Sequence, residues 1–356
     1  MQNIFTVGPA RIYPSVDKHI RAFMDQQMGS MSHRSDAFRA MYASTITQLK
    51  QLLNIPADYE IYMAGSASEI WERILLNTVD VYSHHLVYGD FSKRFYQYAL
   101  ALQKSPSMQE VPSGKSFDID RIIIPEQTEL IGICQNETST GAAIDLNVIY
   151  ELRNRYPNKL LAIDIVSSIP YVNIDFTQVD MAFFSAQKGF GLPTGLGIWI
   201  VSPRAIERAS ILKQKGNVMG AHHTIEQFHQ NYLKSEVPST PNILAIYLLG
   251  KVAADMLEYG IDRLRLDTEM KATLLDKAIE NSPILNHFVA APADRSKTTI
   301  VAEVSDRNLF STLSQNNFIL SNGYGKFADQ HIRIGNFPST SIDDVRALVN
   351  FMEKLF

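Results

Sequence analysis

Two ionisable residues stand in apolar segments of this chain, where such side chains are costly to bury. Asp164 lies inside the run LLAIDIV, and Lys188 follows the run MAFFSAQ, 24 positions further along. An unpaired carboxylate in such a strand costs several kcal/mol, so Asp164 needs a cationic or hydrogen-bonding partner. Gln187 and Gly189 flank Lys188 and leave room for a ligand, and a desolvated lysine can form a Schiff base there. Each residue alone is more often structural, but together they indicate a reactive site.

The pair has the chemistry that pyridoxal phosphate requires. A lysine holds the aldehyde of this cofactor, while a buried acid keeps the pyridine nitrogen protonated as an electron sink. A phosphate cup is also available, because YEIYMAGSASEIWERIL predicts a strand, a small-residue turn and a helix. Backbone amides near Ser66, Ala67 and Ser68 can point at an anion at this helix start. Ser66 with Glu69 is also an ordinary capping box, and the two interpretations are compatible.

The elements that must position these residues alternate along the chain. Short apolar runs and longer amphipathic stretches follow one another from about residue 60 to 200, which predicts an α/β fold with a mainly parallel sheet. The runs are EIYM, HLVY, IIIP, LIGICQ, LLAIDIV, MAFFSA and LGIWIVS. Of these, IIIP, LIGIC, LLAID and MAFF are almost continuously apolar, as strands covered on both faces are.

The character of the sequence changes from about residue 243. A long helical pattern (ILAIYLLGKVAADMLEYGIDRL, then TEMKATLLDKAIEN) leads into alternating runs such as TTIVAEV and HIRIGNF. We therefore predict a large domain at residues 15–242, with a mostly parallel mixed sheet. A smaller C-terminal α+β domain is predicted at residues 243–356, together with residues 1–14.

Composition and missing motifs exclude several classes of protein. The 356 residues include 33 Lys plus Arg against 37 Asp plus Glu and are 46% hydrophobic, which excludes disorder and offers no basic surface for nucleic acid. The single cysteine, Cys134, allows no disulfide framework. The sequence has no signal-peptide pattern and no apolar run of about 18 residues, so we expect a cytoplasmic protein without a membrane partner. Phosphate-loop, nucleophile-elbow and metal-binding motifs are absent, and we predict no metal site.

Five motifs in a fixed order resemble the class V aminotransferases of fold type I. They are GPA at the front, SHRS near the start, QNETSTG, the aspartate at 164, and AQKG after a strand. The resemblance covers nearly the whole chain and is strongest to the phosphoserine aminotransferase branch. It implies the PLP-transferase fold and a transaminase that converts phosphoserine and 2-oxoglutarate in serine biosynthesis. It also implies a homodimer whose active sites are shared between subunits.

The resemblance implies a role in cofactor binding for nine residues. Lys188 would be the Schiff-base lysine and proton shuttle, and Asp164 would pair with the pyridine nitrogen. Phe91, in VYGDFS, would stack on the ring, and Thr138, in NET, would hydrogen-bond the ring hydroxyl. The phosphate would be held by Gln187, Ser66 and the amide of Ala67, joined from a second subunit by Ser239 and Thr240 of VPSTP.

The resemblance also implies a substrate site for an amino acid and a 2-oxo acid. Arg333, in HIRIGNF, would bind the substrate α-carboxylate, a task suited to a planar bidentate donor. His33 and Arg34 would reach the partner's active site and help recognise a distal anion of the substrate. Lys326 could supply one further charge there.

Two departures leave the substrate open. Ala67 stands where the phosphoserine branch usually has an arginine, and Lys326 with Phe327 stands where it usually has a second His-Arg pair. The segments AGSASEIWE and IDIVSSIP resemble the alanine–glyoxylate and serine–pyruvate branch of the same class. A transaminase of small neutral amino acids is therefore the alternative, and both alternatives share one reaction type.

Two further alternatives come from other classes of activity. A non-catalytic protein could keep the fold, although a core has little reason to retain Asp164 and Lys188 without chemistry. A desulfurase or β-eliminating enzyme could use the same cofactor. Its usual cysteine nucleophile has no obvious counterpart here, since Cys134 lies in the apolar run LIGIC.

Overall fold

The computed structural model describes residues 2–355, which form two main sheets surrounded by helices. In chain order the elements are β1 (Asn3–Phe5), α1 (Val16–Asp25), α2 (Asp36–Leu53), β2 (Glu60–Ala64), α3 (Ala67–Thr78), β3 (Ser83–Val87), α4 (Asp90–Ala101), β4 (Ser107–Glu110), β5 (Leu130–Cys134), β6 (Asn136–Glu137), β7 (Ala142–Ala143), α5 (Leu146–Arg155), β8 (Leu160–Asp164), β9 (Met181–Ser185), β10 (Gly197–Val201), α6 (Pro203–Gln214), α7 (Ile225–Tyr232), α8 (Ile243–Tyr259), α9 (Ile261–Glu280), β11 (Leu285–His287), β12 (Thr299–Val304), α10 (Asn308–Gln315), β13 (Phe318–Asn322), β14 (His331–Gly335) and α11 (Ile342–Leu355).

The larger sheet has seven strands in the order β2-β10-β9-β8-β5-β3-β4. Strand β10 runs antiparallel to both of its neighbours, and the other adjacent pairs are parallel. Every residue of β2, β3, β5, β8, β9 and β10 is buried, because apolar side chains cover both faces of the sheet. This confirms the α/β fold with a mixed, mostly parallel sheet that the continuous apolar runs predict.

Around the larger sheet, one predicted strand is wrong and one observed strand is not among the predicted runs. The run IIIP forms no strand, and within it Ile122 and Ile124 are buried while Ile123 is 75% exposed. The amide of Ile123 bonds to the side chain of Gln109 rather than to a neighbouring strand. The missed strand is β4, whose sequence SMQE is polar because it lies at the edge of the sheet.

The smaller sheet combines both ends of the chain. Its order is β1-β13-β14-β12-β11, and β1 pairs in parallel with β13. The long helical pattern after residue 243 divides at Gly260, which has a φ of +95° that favours glycine, into α8 and α9. Helix α8 packs its apolar side chains into the larger core, whereas α9 packs against α11. The domain boundary at residue 243 stays a prediction.

The topology places the predicted reactive residues at the carboxyl ends of the central strands of the larger sheet, which we call its carboxyl edge. Strands β5, β8 and β9 are parallel neighbours, and they end at Cys134, Asp164 and Ser185. In parallel α/β sheets, ligands bind in the crevice beyond these carboxyl ends. Within residues 2–355 we find no helix that combines the length and apolar character needed to cross a bilayer.

Candidate active site

A cavity of about 290 Å³ lies at the carboxyl edge of the larger sheet, where β14 of the smaller sheet meets the start of α3. The N-terminal residues Val7, Gly8 and Pro9 form part of its wall. Eight residues predicted from the sequence line it together, namely Ser66, Ala67, Phe91, Thr138, Asp164, Gln187, Lys188 and Arg333. The fold thus brings most of the predicted site into one chamber.

Lys188 is the central amine of this cavity. Its side chain is buried and its Nζ donates a hydrogen bond to Thr138 Oγ1 at 2.9 Å. Burial lowers the pKa of Lys188 to about 8, against the opposing attraction of the Asp164 carboxylate. A Cβ on Gly8 would lie 2.9 Å from Lys188 Cε, so the N-terminal segment passes close to the lysine side chain and a larger residue there would displace it. A neutral, nucleophilic amine is therefore accessible near neutral pH.

Asp164 ends β8 and faces the same cavity. Its Oδ1 accepts from the backbone amide of Val166 at 2.9 Å, and its Oδ2 accepts from the indole Nε1 of Trp71 at 3.2 Å. Burial raises the pKa of Asp164 to about 6, although the Val166 amide, the Lys188 charge and the Trp71 indole each favour the carboxylate. The carboxylate therefore has the hydrogen-bonding partners that its burial requires.

The start of α3 forms the polar end of the cavity. Ser66 is the N-cap, and its hydroxyl accepts from the Glu69 amide at 3.1 Å, as the capping pattern predicts. The Glu69 side chain accepts from the Gly65 amide at 2.8 Å rather than from the Ser66 amide, so only half of the predicted capping box forms. The amide of Ala67, which was predicted to face a phosphate, donates to Ser185 Oγ at 3.0 Å. This helix start presents its positive end to the cavity.

Glu137 fixes the start of α4 and with it the ring of Phe91. Its side chain is fully buried and accepts from the amides of Phe91 and Ser92 at 3.2 and 2.9 Å. The Ser139 hydroxyl also donates to it, at 2.6 Å. A Cβ on Gly89, the N-cap of α4, would lie 2.3 Å from Glu137 Cγ. The Glu137 carboxylate thus takes the place of a capping side chain, and its negative charge interacts favourably with the positive end of the α4 dipole.

Arg333 projects from β14 and links the smaller sheet to the cavity. Its Nε donates to the Asn322 carbonyl at 2.7 Å, and its Nη1 donates to the Thr138 carbonyl at 3.2 Å. The guanidinium also lies 5.2 Å from the centre of the Tyr324 ring. Burial lowers the pKa of Arg333, but an arginine stays charged. The Arg333 side chain is therefore oriented before any anion binds.

Five predicted residues lie outside this cavity in the single chain. Arg34 is paired with Glu236 at 2.7 Å and contacts the Val237 carbonyl. Ser239 and Thr240, a few positions further on, line a separate cavity of about 360 Å³ that also touches Gly65 and Glu69. His33 lies in the turn beside Arg34, and the Lys326 ammonium lies 5.0 Å from the Phe327 ring.

Several lining residues were missed by sequence reasoning. Trp71, Tyr324, Ser185 and the N-terminal loop line the cavity, and Glu137 supports it from behind. Glu137 stands next to Thr138 in the motif QNETSTG, directly after the apolar run LIGIC. A carboxylate at such a place needs hydrogen-bond partners, and this indicates a supporting role at the site. Trp71 gave no such signal, because a tryptophan in an amphipathic helix usually belongs to the core.

Comparisons with known proteins agree with this geometry. A sequence model described as aminotransferase class V matches residues 3–325. A phosphoserine aminotransferase of Rhodococcus opacus is 26% identical over 358 residues, covering 98% of this chain and 94% of the relative. The crystal structure of a phosphoserine aminotransferase from Cytophaga hutchinsonii superposes with a TM-score of 0.97 at 39% identity, over 99% of both chains. An alanine–glyoxylate aminotransferase from Nostoc has a TM-score of 0.80 at 20% identity, covering 99% of this chain and 95% of that structure, and shares the fold.

The α/β fold, with a cavity lined by both a buried lysine and a buried carboxylate, is that expected of an enzyme of the aminotransferase type. The chain belongs to the class V aminotransferase family. This confirms the predicted family, the PLP-transferase fold and the predicted enzyme class. The family implies pyridoxal phosphate as cofactor.

The residues of the cavity fit pyridoxal phosphate. Lys188 offers an amine for the aldehyde, and Asp164 offers a carboxylate for a protonated ring nitrogen. The start of α3 offers a helix dipole for a phosphate, while Phe91 offers an aromatic face. Cys134 also lines the cavity, but its thiol is buried with Sγ 3.4 Å from the Asn136 carbonyl. Burial raises the pKa of Cys134 well above its usual value, so it offers no thiolate nucleophile.

The contact between Trp71 and Asp164 predicts a spectroscopic titration. The chain has two tryptophans, Trp71 and Trp199, so Trp71 is the only indole emitter in the Trp199→Phe variant. We expect its fluorescence in the cofactor-free protein to change in one step with an apparent pKa near 6, as the bonded Asp164 ionises with rising pH. A fluorescence titration between pH 4 and pH 9 measures this step.

Trp199 is a suitable residue to replace because its indole Nε1 has no hydrogen-bond partner among the described residues. The Trp199→Phe change therefore costs packing but no hydrogen bond. Adding Asp164→Asn to this variant must abolish the step, because an amide does not ionise. A step that persists in the double variant would mean that another group, such as a histidine, is being reported.

Proposed function

We propose that this enzyme transfers the amino group of O-phosphoserine to 2-oxoglutarate with pyridoxal phosphate, as a cytoplasmic enzyme of serine biosynthesis. The observation that carries the proposal is the 39% identity over 99% of both chains to a phosphoserine aminotransferase, with a TM-score of 0.97. The cavity supports it, because the amine of Lys188, the carboxylate of Asp164 and the guanidinium of Arg333 all line it.

When bound, pyridoxal phosphate would act as a carbonyl partner for amines and as an electron sink for the electrons of a broken Cα–H bond. Lys188 would hold the cofactor until an amino acid replaces it. Asp164, supported by Trp71 and the Val166 amide, would keep a proton on the ring nitrogen. Phe91 would cover one face of the ring, in an orientation that Glu137 fixes through the start of α4.

Lys188 would also carry the proton from the substrate Cα once its amine is released. In the cofactor-free chain burial lowers its pKa to about 8, and a general base works best when its pKa lies near the working pH. Thr138 Oγ1, which accepts from Lys188 Nζ, is held by the hydroxyl of Ser167 at 2.9 Å. The amine is thereby kept close to the substrate carbon and away from solvent.

Arg333 would bind the substrate α-carboxylate through a bidentate ion pair. Its Nε and Nη1 bonds to backbone carbonyls fix the side chain, and the guanidinium keeps further N–H groups for the ligand. The start of α3, with Ser66, Ala67 and Gln187, would hold the cofactor phosphate.

The proposed enzyme is a homodimer with shared sites. Ser239 and Thr240 lie on the same side of the chain as Arg34, which pairs with Glu236, and they would join the phosphate site of the partner subunit. His33 and Arg34 would reach the partner's substrate. Sedimentation of the active enzyme tests this assembly, since a fully active monomer would contradict it.

The alternative substrate is a small neutral amino acid such as alanine or serine, with glyoxylate or pyruvate as acceptor. Ala67 brings no charge to the start of α3, and Phe327 stacks on His331 with ring centres 4.5 Å apart. At the two departures Ala67 and Phe327 therefore supply an aliphatic and an aromatic group, and Lys326 is the one cation that remains. These observations favour a substrate without a phosphate.

The absorbance spectrum of the purified enzyme tests the proposal. We expect a yellow band from the bound cofactor that low concentrations of O-phospho-L-serine convert to the pyridoxamine form. L-serine and L-alanine, tested in parallel, should convert it far less readily. Conversion by alanine or serine alone would favour the alternative substrate, and no band even after adding pyridoxal phosphate would contradict both functions.

A further inference from the structure

Within one chain the cavity has too few cations for a substrate with two anionic groups, because the proposed His33 and Arg34 would come from a second subunit. Among its lining residues within the described chain, only Lys188 and Arg333 are positively charged. The proposed function assigns Lys188 to the cofactor and to proton transfer, and it assigns Arg333 to the α-carboxylate. A second anionic group at the far end of the substrate needs another cation near the mouth of the cavity.

Arg94 of α4 lies beside two aromatic residues that line the cavity. Its guanidinium carbon is 5.4 Å from the centre of the Phe91 ring and 5.5 Å from the centre of the Tyr324 ring. The Arg94 Nη2 group donates a hydrogen bond to the Tyr324 hydroxyl. The two rings are themselves 5.2 Å apart, so the guanidinium packs on a continuous aromatic surface. Arg94 is not itself a lining residue, so its guanidinium is held just outside the cavity against two of the side chains that line it, a position that we call the rim.

Tyr324 also places Arg94 within one substrate length of Arg333. The Arg333 guanidinium lies 5.2 Å from the same Tyr324 ring centre. The two guanidinium carbons can therefore be no more than about 11 Å apart. In extended O-phosphoserine the carboxylate carbon and the phosphorus lie about 5 Å apart, and an ion pair at each end adds about 4 Å. The molecule can therefore join two guanidinium carbons that are up to about 13 Å apart. One such molecule can reach both arginines.

The donors of Arg94 are free to bind a ligand. Arg94 is exposed, and among residues 2–355 it has no carboxylate partner within 4.0 Å. Its hydrogen bond to Tyr324 uses one of five N–H donors. Arg34, by contrast, is paired with Glu236 in this chain, and the Lys326 ammonium packs on Phe327. Arg94 is thus a cation at the rim that is positioned but not neutralised.

We propose that Arg94 binds the distal phosphate of the substrate and determines specificity for it, from the same chain that supplies Lys188 and Arg333. Tyr324 is the positioning residue, because its ring and hydroxyl hold the guanidinium at the rim. This inference rests on the proposed function. Arg94 lies outside the two positions at which this sequence departs from the phosphoserine branch, so those departures leave this cation in place.

The Arg94→Gln variant tests this assignment in the single-turnover half-reaction of the cofactor-loaded enzyme. O-phospho-L-serine and L-serine are compared, because they differ only in the phosphate and share the carboxylate that Arg333 binds. We expect the apparent Kd for phosphoserine to rise about tenfold to a hundredfold, which is the usual loss for a charged hydrogen bond. The constants for L-serine should stay within about threefold of the wild type.

Lys93→Gln is the matched control, since Lys93 is the neighbouring exposed cation on α4 but lies 3.6 Å from Glu110 at the edge of the sheet. This variant removes the same charge from the same helix turn and should leave the discrimination between phosphoserine and serine unchanged. Arg94→Lys should give an intermediate loss, because it keeps the charge without the planar fork.

A binding measurement separates this inference from the proposed activity. Calorimetry compares 3-phosphoglycerate, which has a carboxylate and a phosphate but no amine, with glycerate, which lacks the phosphate. The wild type should bind 3-phosphoglycerate more tightly than glycerate, and Arg94→Gln should bind the two about equally. Failure of the wild type to convert phosphoserine would contradict the proposed function, whereas this comparison would still report on Arg94. Equal losses for phosphoserine and serine, or no loss for either, would overturn the assignment.

Discussion

The Lys188→Ala variant should lose at least about 10⁴-fold in turnover while keeping its fold. The substitution removes the amine that attaches the cofactor and the base that moves the substrate proton, and no other lysine lines the cavity in the described chain. Steady-state transamination and circular dichroism measure activity and fold together. An active, folded variant would contradict the proposed mechanism.

Two controls separate the roles of the lysine. Lys188→Arg keeps a positive charge beside Thr138 but cannot lose its proton, so it should be as inactive as the alanine variant. A small primary amine added to Lys188→Ala should restore part of the proton transfer, because the truncated side chain leaves space next to the substrate carbon. Rescue that does not depend on the basicity of the added amine would argue against Lys188 as the base.

The Asp164→Asn variant should lose about 10² to 10³-fold in turnover, because an amide cannot keep a proton on the cofactor ring nitrogen. The change is isosteric, and the amide oxygen can still accept from the Val166 amide. The expected signature is loss of turnover with little change in the KM for the amino donor. Steady-state kinetics at pH 8, with the bound cofactor quantified, measures it.

The same substitution should stabilise the cofactor-free protein above pH 6. Burial raises the pKa of Asp164 from 3.8 to about 6, so between these values the folded state binds more protons than the unfolded state, and stability falls as pH rises. Above pH 6 the buried charge costs roughly 3 kcal/mol of folding free energy, which the amide avoids, although the amide loses the Trp71 hydrogen bond, worth about 1 kcal/mol at every pH. Asp164→Asn should therefore be the more stable protein in urea unfolding near pH 8, and this advantage should disappear as pH falls below about 4.

Asp180→Asn is the matched control for this stability effect. Asp180 is also buried, but it is paired with Arg153 and accepts from the Leu161 amide at the opposite edge of the sheet. Its substitution leaves the arginine unpaired and should destabilise the protein, with the cavity intact. If Asp164→Asn destabilised the protein at pH 8, as Asp180→Asn should, the proposal that the Asp164 charge is destabilising would be wrong.

The apolar runs determined most of the larger sheet, because strands covered on both faces must be apolar at every position. The run IIIP is a wrong strand prediction for a physical reason, since an isoleucine-rich segment can also form a partly buried loop when an amide such as that of Ile123 finds a side-chain partner. Strand β4 was invisible for the opposite reason. An edge strand with a solvated face needs few apolar residues.

The sequence by itself indicated the chemistry, because Asp164 and Lys188 are ionisable residues in apolar runs and a buried charge needs a function or a partner. Only the tertiary structure decided how that charge is held. Trp71 comes from 93 positions away along the chain to bond Asp164, and Arg333 reaches the carbonyl of Thr138 across 195 positions. Such contacts depend on how sheets and helices pack. Local sequence patterns do not show which residues far apart along the chain lie close together in the fold.

The same distinction applies to Arg94. In the sequence it is one more charged residue on an exposed helix face, and such residues are usually solvated. The fold brings Tyr324 from the smaller sheet's loop against α4, and this contact places the guanidinium at the rim of the cavity. Residue types fixed which reaction the protein can perform, whereas the packing of its two sheets decided which side chains can meet a substrate.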